Sequence, residues 1–215
     1  MDNFNVVGVF AVVLLTGLAP MLVMMLTSFA KISVVLFIVR NALGIQQTPP
    51  NILLYGLALV LTAYVMMPVG REVYAVAADP RANYSSVAGI ERTVIEAGQP
   101  VRTFLMKHTK PRDRQFFVDA AQKVWKDARQ PTPHEADFIV LIPAFISAEL
   151  TRAFEIGFLL YLPFVMIDFA VSAILVAVGM QMMSPTVIST PFKLLLFVIL
   201  EGWSYLLQGL ILSYA

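Results

Sequence analysis

The most concentrated chemistry in this chain is three charged side chains spaced by three: Glu149, Arg152 and Glu155. On a helix that spacing confines them to about a third of the circumference, so Arg152 can bond both carboxylates and leave one negative charge over. Lys31, Asp168, Lys193 and Glu201 each stand alone in an otherwise apolar run. Ionisable groups in a membrane are costly, so they face a protein interior, a partner or water. Pairing within the chain or between subunits, fixing helix register, is the expected use. A proton or ion pathway is the alternative. The second unusual stretch is GMQMMSP at residues 179–185. Methionine is long, unbranched and polarizable, and it fills irregular space adaptably. Met180, Met182 and Met183 beside a helix break could seal a channel and still yield to something passing. Met24, Met25, Met66 and Met67 keep a plainer reading open, because this chain also uses methionine as apolar filler.

Catalytic patterns are missing. His108 and His134, the two histidines, lack metal-ligand spacing. Gly-rich phosphate loops and serine nucleophile elbows are absent from the sequence. Glu149, Glu155 and Asp168 would be paired carboxylates with no nucleophile near them. There is no cysteine, hence no thiolate chemistry and no disulfide. A net charge of +1 gives no argument for nucleic acid. The expectation is a protein without catalytic activity, metal or cofactor.

The elements that must carry these residues follow from where charge is absent. Residues 71–137 hold 11 of the 15 basic and 9 of the 14 acidic residues. Residues 5–30, 46–70 and 169–192 hold none, nor does anything after Glu201. A membrane helix needs roughly 20 apolar residues to cross a ~30 Å hydrocarbon core. Each flank therefore has room for two. The chain reads as an all-α membrane protein with an apolar hairpin at 1–70, a polar, partly helical insert at 71–137, and a second apolar hairpin at 138–215.

Finer signals divide these segments. Gly44 suits a helix C-terminus, and Thr48-Pro49 a helix start. The second apolar segment is expected to break at residues 68–70. In the insert, Ile90, Val94, Val101, Phe104 and Leu105 recur at helical spacing, as do Phe116, Phe117, Ala120, Ala121, Val124 and Trp125. Two amphipathic helices follow, each needing a partner surface. So small a core is not expected to fold alone. Thr132 and Glu135 form a capping box that predicts the next helix start. That helix should run to about Met183, bent or split at Pro143 and Pro163, and end at Ser184-Pro185. Thr190-Pro191 predicts a last apolar helix.

The start at Met1-Asp2-Asn3-Phe4 lacks the basic residues of a secretory signal, and the apolar run behind it exceeds the roughly 7–15 residues of a signal core. The segment is expected to be retained. Lys31 and Arg40 against Asp2 place the turn at 40–48 in the cytoplasm, with the N-terminus and the insert outside.

Two long stretches carry a family resemblance. One is TSFAKISVVLFIVRNALGIQQTPPN, residues 27–51; the other opens with IPAFISAELTRAFEIGF, residues 142–158, and continues through MQMMSP at 180–185 and PFKL at 191–194 to EGW at 201–203. They resemble the FliP/SctR family of type III secretion export-apparatus proteins, and among these the virulence injectisome branch. The resemblance implies an export-gate subunit through which unfolded substrates cross the bacterial inner membrane. It implies a pentameric set of this chain assembled with SctS-like and SctT-like subunits, beside SctU-like and SctV-like proteins. It also implies a gate raised towards the periplasm, with apolar helices buried on other subunits and charges paired across interfaces. The family's methionine gasket maps onto Met180, Met182 and Met183, with Gln181 a departure that would wet the seal or point away from the axis. On the residues alone, a small secondary transporter or channel with broken helices is the rival.

Overall fold

The computed structural model of the chain describes residues 17–18, 20–45, 47–80, 86–125, 133–180 and 182–215. These are helical, with no strand among them: α1 (Pro20–Leu26), α2 (Phe29–Ala42), α3 (Asn51–Ala77), α4 (Val87–Lys107), α5 (Pro111–Val124), α6 (Phe138–Ala177), α7 (Pro185–Ile199) and α8 (Gly202–Leu212). The all-α expectation therefore holds. The retained N-terminal start and the Thr132 cap fall outside the described residues.

Helix α2 ends as the sequence predicts. Gly44 takes φ +73°, and its amide donates to the Asn41 carbonyl at 3.1 Å. Helix α3 starts later than Thr48-Pro49 suggests, because Pro50 disfavours a helical Pro49. The amides of Leu53 and Leu54 instead donate to the Pro50 carbonyl, at 3.0 and 3.3 Å. Arg40 ties the turn together, its Nη1 donating to the Pro49 carbonyl at 3.3 Å and to Asn51 Oδ1 at 2.5 Å.

Three proline expectations are overturned: a break at Pro68, a split at Pro143 or Pro163, and a helix start at Pro191. Helix α3 runs through Pro68 to Ala77, and α6 is one 40-residue helix containing Pro143 and Pro163. Pro191 lies inside α7, which starts at Pro185. A proline removes one donor, whereas unwinding an apolar helix would strand several backbone groups at several kcal/mol each. The intact ladder wins. The next start is also late: α6 begins at Phe138, behind a turn in which the His134 amide donates to Asp137 Oδ2 at 2.7 Å. The last apolar segment divides instead at Leu200-Glu201, where α7 and α8 meet at 63°.

Helices α3 and α6 are long and apolar enough to cross a bilayer. Counting the bent pairs α1–α2 and α7–α8 as one span each brings the number to four. At the first break, Thr27 donates its hydroxyl to the Val23 carbonyl and accepts the Phe29 amide at 3.3 Å, offering the backbone a local alternative to the helix.

Two compact units share this chain, and α2, α3 and α6 contribute to both. One comprises the described residues up to Ala30 with Val69–Ile146. There α4 and α5 form the two helices expected of the insert. Ser86 caps α4 by accepting the Gly89 amide at 3.1 Å, and Arg114 holds the α4–α5 turn by donating to the Thr109 carbonyl at 2.7 Å. Phe104 and Leu105 are buried, with the Phe104 ring 5.7 Å from that of Phe145 on α6. Ile90, Val94, Phe116 and Val124 are exposed. Spacing identified both helices but not which side of each is covered.

The other unit is Lys31–Pro68 with Ser147–Ala215. Its core holds Ile32, Val35, Leu36, Leu54, Ala58 and Ala153, all at most 1% exposed. Helix α6 approaches α2 at Gly157, where an added Cβ would lie 2.5 Å from Ile38 Cδ1 and 3.2 Å from Ile38 Cβ. Gly157→Val should cost about 1–3 kcal/mol through overpacking. Gly56→Ala has open space around its Cβ and should be neutral or mildly stabilising. Thermal unfolding of the detergent-solubilised protein checks both, and equal melting of the two variants would refute the close approach.

Candidate functional site

The site has three parts, all within residues 31–68 and 147–215: a buried ion cluster, a second ion pair, and the methionine connector between α6 and α7. Glu149 is placed by α6 with no exposed side-chain surface. Its Oε2 lies 3.4 Å from Lys31 Nζ, itself 1% exposed, and its Oε1 accepts from Arg152 Nη1 at 2.9 Å. The Tyr214 hydroxyl also donates to Oε2, and the Tyr214 ring lies beneath Lys31 Nζ at 3.5 Å from its centroid. One carboxylate thus accepts from two cations and a phenol. A charge this deep is tolerable because its lone pairs are met by donors in a low-dielectric setting.

Spacing anticipated only part of this. Arg152 meets Glu149 as expected, but Glu155 is exposed and forms no ion pair among the described residues. Arg152 therefore does not bridge two carboxylates, because burial at Glu149 draws its guanidinium to one side. Lys31 does not stand alone. Tyr214 was not foreseen; its signal was a polar-tipped aromatic at the end of an apolar helix, which needs a hydrogen-bond partner once buried.

Asp168 and Lys193 likewise find each other. Lys193 Nζ lies 2.6 Å from Asp168 Oδ2 and donates to the Ala42 carbonyl at 3.1 Å, satisfying an otherwise orphaned group at the end of α2. Ser189 donates to Asp168 Oδ1 at 2.6 Å. Lys193 is 4% and Asp168 38% exposed at the side chain, so the pair opens outward through its acid. Neither Ser189 nor the carbonyl had a sequence signal. Glu201 is exposed and left-handed at φ 48°, ψ 40°, immediately before α8.

The connector is pinned at both ends. Gly179 at φ +79° donates to the Val176 carbonyl at 3.1 Å, and the Met180 amide reaches back to the Leu175 carbonyl at 2.9 Å. This pair of bonds is the Schellman arrangement, and it closes α6 at Ala177 rather than at Met183. At the other end Pro185 opens α7 at a position where its missing amide costs nothing. Between these stops Met180, Met182 and Met183 project, at 44%, 102% and 41% exposure. Gln181 lies outside the described residues. The arrangement can present thioether side chains to a partner or a lumen; it offers no nucleophile. Among the described residues no three His, Cys, Asp or Glu side chains gather as metal ligands.

Residues 12–210 match the FliP family. The chain is similar to the probable translocation protein y4yL of Sinorhizobium fredii, 47% identical over 97% of this chain and 94% of the relative. It is similar to the Yop proteins translocation protein R of Yersinia pestis, 44% identical over 99% and 97%. The hypersensitivity response secretion protein HrcR of Ralstonia nicotianae is 41% identical over the full length of both.

Proposed function

This chain belongs to the FliP family of type III secretion export-apparatus proteins, and from that premise we propose that it is a core subunit of the export gate. In this reading several copies, a pentameric set, assemble with SctS-like and SctT-like subunits in the bacterial inner membrane. SctU-like and SctV-like proteins adjoin them. Unfolded substrates pass along the axis, and the assembled gate is raised towards the periplasm. Nothing in the passage requires catalysis by this chain.

One observation carries the proposal: three methionines lie together on a short connector fixed at both ends, with Met182 fully exposed. Brought together around an axis, such side chains would form an apolar, deformable ring. The many exposed apolar residues of α3, α6 and α7 fit helices that are covered only in an assembly or by lipid. Gentle extraction followed by particle-mass measurement tests this. A large particle containing two other hydrophobic proteins is expected. A monomer or small symmetric oligomer would overturn the gate and favour a transporter.

A further inference from the structure

A half-open cavity of about 600 Å³ lies among α2, α6, α7 and α8, within the size range of small-ligand sites. Ile156, Leu160, Phe164, Phe197 and Leu206 are among the apolar residues of its wall. The lining helices carry membrane-span character, α6 alone, α7 with α8 as a bent pair, and α2 in its bent pair with α1. An unfilled apolar cavity forfeits dispersion contacts on its open side, and in hydrocarbon the material at hand to restore them is an acyl chain. One charged residue adjoins the lining in the chain. Leu200 and Gly202 both line the cavity, and Glu201 lies between them.

Glu201 is an unusual residue for that position. Its φ of 48° is left-handed, which favours glycine, and a non-glycine residue there is strained unless its surroundings over-determine it. Glycine does occur one position later, where space demands it, because a Cβ on Gly202 would collide with the Phe197 ring. The break thus carries an exposed carboxylate beside exposed Val198, Ile199 and Leu200, in an unfavourable backbone state. A carboxylate in apolar surroundings needs a cationic partner.

We propose that this cavity is a phospholipid site, holding one acyl chain, with the ammonium headgroup of a phosphatidylethanolamine-type lipid paired to Glu201. The apolar wall sets chain occupancy, and the rim carboxylate selects a primary ammonium over an anionic headgroup. The site does not depend on the gate, since its walls and its charge come from one chain.

The test uses Trp203, which stacks edge-on against Phe197 at 5.3 Å and so reports on the cavity wall. The full-length chain carrying Trp125→Phe, which leaves Trp203 as the one tryptophan, is placed in nanodiscs. Phosphatidylethanolamine or phosphatidylglycerol with identical brominated chains is then titrated in. Phosphatidylethanolamine should quench Trp203 more strongly at equal mole fraction. Glu201→Gln should reduce that preference roughly threefold, the scale of one exposed ion pair. Gly209 lines the cavity and has nothing within 4 Å of an added Cβ, so Gly209→Leu can project into the space and should remove most of the quenching. Equal quenching by both lipids, or an unchanged Glu201→Gln, would overturn the headgroup assignment. Quenching untouched by Gly209→Leu would overturn the chain site and leave ordinary contact with bulk lipid. Protection of Trp203 from both lipids only in the assembled particle would overturn it in favour of a neighbouring subunit.

Discussion

Replacing Glu149 with alanine is expected to cost about 3–5 kcal/mol of stability, the usual loss when one partner of a buried pair is removed. The carboxylate has no exposed surface, and Lys31 beside it has almost none. After truncation Lys31 would keep the Tyr214 ring but no counter-charge, and the Tyr214 hydroxyl would lose its acceptor. Arg152 suffers less, because its 30% exposure lets it turn to solvent. For a chain of this length each kcal/mol moves the melting temperature by roughly 2–4 °C, so a fall of about 6–20 °C is expected in detergent. The double variant Lys31→Met with Glu149→Leu should recover most of it, since apolar residues of similar size often replace a buried pair without loss. Glu155→Ala should stay within about 0.5 kcal/mol of the parent. If Glu149→Ala melts with the parent, water reaches the cluster and its burial has no energetic meaning.

The second large effect concerns ion leakage. Changing Met180, Met182 and Met183 together to alanine should leave assembly intact but let small ions pass the resting gate. Met182 is fully exposed and Met180 and Met183 are each about two-fifths exposed, so none is a core residue whose loss would unfold the chain. A seal must exclude hydrated ions, which favours apolar side chains, and must give way to a polypeptide, which favours flexible ones over rigid aromatics. Export should persist because no chemistry is lost. Membrane conductance, or ion sensitivity of growth in cells carrying the triple variant, reads the result. An assembled triple variant with no added leak would assign closure to a partner subunit and demote the methionines to contact residues.

The legible parts of this chain were those governed by local rules. Charge-free runs gave the apolar helices, three- and four-residue spacing gave α4 and α5, and Gly44 was correctly read as a helix terminus. The methionines were visible through their position after Gly179 and before Pro185. Local rules failed where a longer-range term outweighed them. Pro68 reads as a break and Pro143 and Pro163 as bends or splits, yet each costs a helix one donor while the apolar stretch around it holds many bonds, so the helices stay continuous. The pairing of Glu149 with Lys31 had no signal, because spacing ranks neighbours on one helix and says nothing of a residue on another. For the same reason Glu155, the obvious local partner of Arg152, makes no such pair, whereas Ser189 and the Ala42 carbonyl complete the Asp168–Lys193 pair. Composition cannot show which part of α4 its own chain covers: Ile90 and Val94 share the helical spacing of Phe104 and Leu105 yet are exposed.

The Lys31–Glu149–Tyr214 cluster also has a consequence for biosynthesis. At roughly 5–20 residues per second, Lys31 leaves the ribosome on the order of ten seconds before Glu149, and Tyr214 follows 65 residues after that. Throughout that interval the first apolar hairpin carries a cation with no counter-charge, a poor candidate for stable lateral release into lipid. Insertion of the early segments should therefore be reversible, or held at the translocon, until the later helices arrive. The ion cluster would then act as a timer as well as a clasp, committing the amino-terminal half to the membrane only when the carboxy-terminal half is present to neutralise it.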